Sequence, residues 1–142
     1  MNKQVNFFFY GTLMKYPPRK DRVISTENAE VNGRLFTFNR FPAAVLGGEK
    51  IIKGKVISYN ISEYDLSRMI GDIDAWEGCR DNNPANSVYL RKQVKAKTSS
   101  EEEVECTMYV FNREVESEFI LSLLKREEIP NGDWLEWRRN QR

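Results

Sequence analysis

The sequence predicts an α+β fold whose strands form a mostly antiparallel or mixed sheet, one that can close into a small barrel. Three observations carry this. Five or six short apolar or alternating segments are separated by Gly, Pro and Asn punctuation, the pattern of strands joined by turns. Only two segments show helical spacing, so strands and helices do not alternate as the βαβ units of a parallel doubly wound sheet. The 142 residues suit one domain able to bury a core without disulfide or metal staples.

Val5 to Tyr10 is a nearly continuous apolar run and reads as a buried strand that Gly11 ends. Met14 to Asp21, with Pro17-Pro18, reads as a loop or short irregular helix. A strand is expected over Ala29 to Phe38, with Gly33 marking a bulge or a close backbone approach. Phe41 to Val45 reads as a loop or bend closed by Gly47-Gly48, and Ile51 to Ile61 as the next strand, with Ile52, Gly54, Val56 and Ser58 on one face.

Ser62 to Gly78 is the clearest helix. Ser62 can cap its start, Asp65 stands in a capping-box position, and Leu66, Met69, Ile70, Ile73 and Trp76 keep helical spacing. Val88 to Lys97 and Val104 to Asn112 read as a hairpin around the acidic run Thr98 to Glu103. Glu114 to Glu127 reads as a second helix. Pro130-Asn131-Gly132 then turns the chain into Asp133-Trp134 and a polar, basic tail.

Composition excludes several chemistries. Basic and acidic residues nearly cancel, 22 against 21, so no global field draws the chain to nucleic acid or membrane. The run Val5 to Tyr10 is too short to cross a bilayer and lacks the features of an export signal. Cys79 and Cys106 have no metal-ligand spacing, which favours a reduced, cytoplasmic setting over a disulfide framework. The chain has no histidine, so Ser-His-Asp and Cys-His catalysis and imidazole zinc sites are out. Proton transfer must then use carboxylates, tyrosines, lysines or the backbone. No cofactor or metal is expected.

Tyr10-Gly11-Thr12-Leu13 ends the first strand. Successive backbone N–H groups in such a turn can hold an anion such as a substrate carboxylate, although an ordinary strand-ending turn explains the residues as well. Asp74-Ala75-Trp76-Glu77-Gly78 puts Glu77 at a helix C-terminus, where the macrodipole disfavours its charge. Trp76 is expected on the apolar side beside it, and both effects raise a carboxyl pKa toward that of a useful base. The competing account is a solvated helix-end glutamate, with Asp74 capping or orienting its neighbours. Tyr89 and Tyr109, on adjacent strands, can point to one face as phenol donors or as core aromatics. A polar cavity is expected between Gly11 to Leu13, Glu77 and at least one of these tyrosines.

The order of the segments says more than any one of them. Tyr10-Gly11-Thr12-Leu13 is followed by Gly33-Arg34-Leu35-Phe36, Phe41-Pro42-Ala43 and Gly54-Lys55-Val56. Then come Ile73-Asp74-Ala75-Trp76-Glu77-Gly78, Tyr89-Leu90-Arg91, Tyr109 and Gly132-Asp133-Trp134. From about Phe7 to Trp134 this succession resembles the γ-glutamylcyclotransferase-like family, whose members include γ-glutamylamine cyclotransferases. The resemblance implies a small mixed β-barrel with flanking helices and a cofactor-independent enzyme acting on a small γ-glutamyl substrate. It implies Glu77 as acid/base, with the backbone at Tyr10, Gly11, Thr12 and Leu13 holding the γ-glutamyl group, and Tyr89 and Tyr109 completing the pocket. A non-catalytic ligand-binding or partner-binding protein on the same scaffold is the alternative. The oligomeric state and the identity of the departing amine are not legible in the sequence.

Overall fold

The structure, a computed structural model, describes residues 2–38, 41–77, 89–111, 128–129 and 131–140. Its strands are β1 (Asn2–Phe9), β2 (Val23–Phe38), β3 (Phe41–Ser62), β4 (Tyr89–Thr98) and β5 (Glu103–Phe111). Three helices are described: α1 (Thr12–Lys15), α2 (Glu63–Glu77) and α3 (Trp134–Arg139). A 3-10 turn covers Lys20–Arg22. The expected strands at 5–10, 51–61, 88–97 and 104–112 share one sheet, hydrogen-bonded in the order β1-β3-β2-β4-β5 and closed into a barrel by a parallel contact of β1 with β5 at Phe7↔Thr107. The other pairings are antiparallel. The expected helix over 114–127 lies outside the described residues.

Two cores explain why the strands are apolar on both faces. Along β1, Phe8 and then Tyr10 point into the barrel with Val31, Leu35, Ile52, Val56, Met108 and Val110. Phe7 and Phe9 point outward, beneath Leu66, Met69 and Ile73 of α2. The same alternation splits β3, with Ile52 and Val56 inside and Ile57, Tyr59 and Ile61 under the helix. Each fully buried side chain of this size contributes about 1.5–3 kcal/mol, so the α2 face is a second core. Ser62 caps α2 as expected, its Oγ accepting from the Asp65 N–H at 3.2 Å, an interaction of about 1 kcal/mol.

Three expectations need correction. Phe41 to Val45 is not a loop; it opens β3 and pairs with β2 from Thr37↔Pro42 to Arg34↔Val45. The strand expected from Ala29 begins at Val23. Trp76 is not on the apolar side of α2 but 64% exposed. Gly33 does mark an irregularity: the register shifts between Asn32 and Gly33, and a Cβ there would lie 2.6 Å from the Val45 carbonyl oxygen.

The chain after the barrel docks by its backbone. The Ile129 N–H donates to the Leu35 carbonyl at 2.7 Å and the Lys53 N–H to the Gly132 carbonyl at 2.7 Å. Asp133 then caps α3, accepting from the Glu136 N–H at 3.1 Å, and Trp134 is buried, with its ring stacked on Trp137. The sequence pattern predicts only a polar, basic tail beyond Trp134. No helix among the described residues is long and apolar enough to cross a membrane.

Candidate active site

β1 and β5 run parallel, so the chain leaving β1 at Tyr10 emerges beside the end of β5. Tyr10 is buried in the barrel, stacked near Phe8, and its hydroxyl donates to the Tyr109 carbonyl oxygen at 2.7 Å. Gly11 is buried against Pro42; a Cβ at this position would lie 2.8 Å from the proline Cγ. The glycine is therefore required by close approach, not by a positive φ, its φ being −122°. Thr12–Lys15 then form one helical turn, with the Met14 N–H donating to the Gly11 carbonyl at 3.0 Å and buried Met14 anchoring it. The N–H groups of Thr12 and Leu13 open that turn and have no acceptor within it. Thr12 is exposed and Leu13 half-buried.

The register Tyr89↔Phe111 and Arg91↔Tyr109 puts Tyr89, Arg91, Tyr109 and Phe111 on one face of the hairpin. The expectation that the two tyrosines share a face holds. Their hydroxyls, however, are directed at protein acceptors: Tyr89 donates to the Pro42 carbonyl at 2.7 Å and Tyr109 to Asp74 Oδ1 at 2.5 Å. Both rings are buried. Arg91 Nε stands 2.9 Å from the same Asp74 oxygen, and both side chains are less than a quarter exposed. A carboxylate that pairs with a guanidinium and accepts from a phenol in so sheltered a place is held firmly.

The candidate turn is thus gripped twice. Tyr109 holds Tyr10 through its carbonyl, and Tyr89 holds Pro42, which packs on Gly11. Tyr109 also reaches α2 through Asp74. Asp74 and Glu77 are three residues apart on that helix, hence on neighbouring positions of one face. Glu77 is the last residue of α2; its side chain lies outside the described residues. Sequence reasoning gave Arg91 and Pro42 no role. Period-two alternation from Tyr89 was the available signal for Arg91; for Pro42 there was none.

An open groove of about 1520 Å³ borders the turn, and of the seven candidates Thr12 alone lines it among the described residues. Tyr89 and Tyr109 are buried and do not line this groove. Among the described residues no three Cys, Asp or Glu side chains converge as metal ligands.

A small barrel carrying a glycine turn and a helix ending in Asp-x-x-Glu, joined through one tyrosine, defines a class that comparisons with known proteins resolve. A family model described as gamma-glutamyl cyclotransferase, AIG2-like, matches residues 7–136, and the chain belongs to that family. No curated protein sequence matches it. Among solved structures it is similar to YkqA from Bacillus subtilis (23% identity, TM-score 0.62), covering 99% of this chain and 42% of that one. The chain therefore spans less than half the length of the Bacillus protein. It is also similar to At5g39720.1 from Arabidopsis thaliana (19% identity, TM-score 0.60, 96% and 82% covered). A third likeness is to a yeast gamma-glutamyl cyclotransferase specific to glutathione (12% identity, TM-score 0.58, 99% and 89% covered). At these identities the likenesses show a shared fold.

Proposed function

We propose that this protein is a cyclotransferase that converts a γ-glutamyl amide into 5-oxoproline and a free amine or amino acid, acting on small molecules in a reducing cytoplasm. One observation carries the reading within this family: Tyr109 ties the Tyr10 turn and the last turn of α2 to a single residue. The two motifs that the reaction needs are held against one strand.

The chemistry uses groups of this chain alone. The N–H groups opening the turn at Thr12 and Leu13 hold the substrate α-carboxylate. Glu77 takes a proton from the α-ammonium, and the freed amine attacks the γ-carbonyl carbon. A new C–N bond closes the five-membered lactam, the old C–N bond breaks, and the two protons that the attacking nitrogen sheds on becoming the lactam N–H pass by way of Glu77 to the departing amine, which leaves as an ammonium. The tethered nucleophile supplies much of the acceleration, since well-held intramolecular reactions gain about 7–11 kcal/mol. Asp74, Arg91 and Tyr109 are positioning residues that fix the end of α2.

The test is a panel of γ-glutamyl compounds incubated with the protein, with 5-oxoproline as readout. Turnover of at least one, lost in Glu77→Gln, supports the reading. Binding with no 5-oxoproline from any compound would replace it with that of a ligand-binding protein.

A further inference from the structure

Two of the large apolar side chains left exposed stand on α2, Tyr64 at 69% and Trp76 at 64%. They are the ends of one row. Tyr64, Arg68, Asp72 and Trp76 follow one another at four-residue steps and form a ridge on the solvent side of the helix, away from Leu66, Met69 and Ile73. Beside it runs a second row, Ser67, Gly71 and Ala75, all small and exposed, with open space over the Gly71 Cβ position. A bulky ridge next to a shallow groove is a surface into which a second helix can key.

The charges on the ridge say which helix. Arg68 does not pair with Asp72. Its guanidinium lies over the Tyr64 ring, 5.8 Å from the centroid, and donates to the Tyr64 hydroxyl at 3.1 Å. Among the described residues Asp72 joins no ion pair. Base before acid is also the weaker order for two charges four residues apart on a helix, so α2 itself gains little from them. About Ile70, however, the ridge is self-complementary: Arg68 and Asp72 stand two residues either side of it, and Tyr64 and Trp76 six. Two such ridges laid antiparallel across a two-fold axis bring Arg68 of each copy to Asp72 of the other, and Tyr64 of each to Trp76 of the other.

We propose that α2 is the surface through which two copies of this chain associate, antiparallel and two-fold symmetric, each ridge seated in the other's groove over Ser67, Gly71 and Ala75. Interlocking of four-residue ridges sets the helices about 50° apart in direction and about 8–10 Å apart in space, the small residues favouring the shorter distance. The aromatic ends supply most of the affinity. The charges fix the register, because opposed like charges are strongly unfavourable. The 15 residues of α2 span about 22 Å by about 10 Å. One such face per copy is smaller than the roughly 1,200–2,000 Å² of a standard stable interface, so the dimer is weak and reversible.

Sedimentation equilibrium of the full chain from about 1 µM to about 1 mM covers the range of weak association and should show monomer giving way to dimer. Arg68→Asp and Asp72→Arg each oppose like charges at both symmetric contacts and should weaken association about tenfold or more. The double variant restores the complement and should return to within about threefold of wild type. Trp76→Ala should weaken association about tenfold. Gly71→Leu fills the groove where the monomer has free space; it should abolish association without lowering the thermal stability of the monomer. All four positions are exposed, so each variant should keep its fold by circular dichroism. A monomer at about 1 mM, a dimer indifferent to Gly71→Leu, or a double variant as weak as its singles overturns the proposal.

Discussion

Tyr109 donates its hydroxyl to Asp74 at 2.5 Å while its own carbonyl accepts from Tyr10 at 2.7 Å, so one residue of β5 holds both the glycine turn and the end of α2. Tyr109→Phe keeps the ring and the carbonyl and removes the bond to the helix. Asp74 retains Arg91, and the loss of one buried bond should cost about 1–3 kcal/mol in urea unfolding. On γ-glutamyl substrates kcat should fall more than KM rises, because the turn stays anchored while the helix end loosens. An unchanged kcat in a destabilised variant would reduce Tyr109 to packing.

Glu77→Gln should fold normally and bind substrate, with turnover reduced by about two to four orders of magnitude, the reach of a general base. Glu77→Asp should also be slow, because the shortened arm displaces the carboxylate in a step sensitive to about 1 Å. Circular dichroism on each variant and 5-oxoproline release make the comparison. Full activity in a folded Gln variant would move the proton acceptor elsewhere.

The glycines predict opposite signs. Gly132 has φ +62°, and a Cβ there would lie 1.9 Å from the Ile51 carbonyl oxygen. Gly132→Ala should destabilise by about 2 kcal/mol or more, from strain and clash together, by breaking the docking of α3 on β3. Gly71 is in the interior of α2 with open space around its Cβ position. Gly71→Ala should stabilise by about 0.5–1 kcal/mol. Thermal melts of the two variants read both effects, and equal shifts would contradict the packing described.

Burial inside the barrel pushes the Cys106 thiol up to about 11. The folded state therefore favours the protonated thiol, whose contribution is complete below the ordinary thiol range and is lost as pH rises through about 9 to about 11. Over that window wild type should lose stability faster than Cys106→Ala, by at most about 1.4 kcal/mol per pH unit. Parallel stability curves would mean that the thiol ionises freely. The thiol should also resist alkylation at neutral pH until the protein unfolds.

Much of the barrel was legible because local patterns report it. Alternation in β1 and β3 marks side chains divided between two cores, and Ser62 with Leu66, Met69 and Ile73 marks α2 through capping and period. The misreadings have local causes too. Pro42 and the paired glycines suggest a bend between Phe41 and Gly48, yet the strand pairs through Pro42 opposite Thr37. Trp76 keeps the helical spacing of Met69 and Ile73, yet on α2 it is exposed to solvent.

The sequence by itself determined the middles of the five strands, the helix α2, the candidate turn at Tyr10 to Leu13 and the Asp74-to-Glu77 helix end, since each depends on residues within a few positions of one another. Only the tertiary structure decided what the tyrosines do. Tyr10 meets Tyr109 across 99 residues, Tyr89 meets Pro42 across 47, and Tyr109 meets Asp74 across 35. Such partners follow from strand register and barrel closure, which no local pattern encodes. The open groove has the same origin: its walls come from α1, β3, β4 and α3, segments that only the barrel brings together.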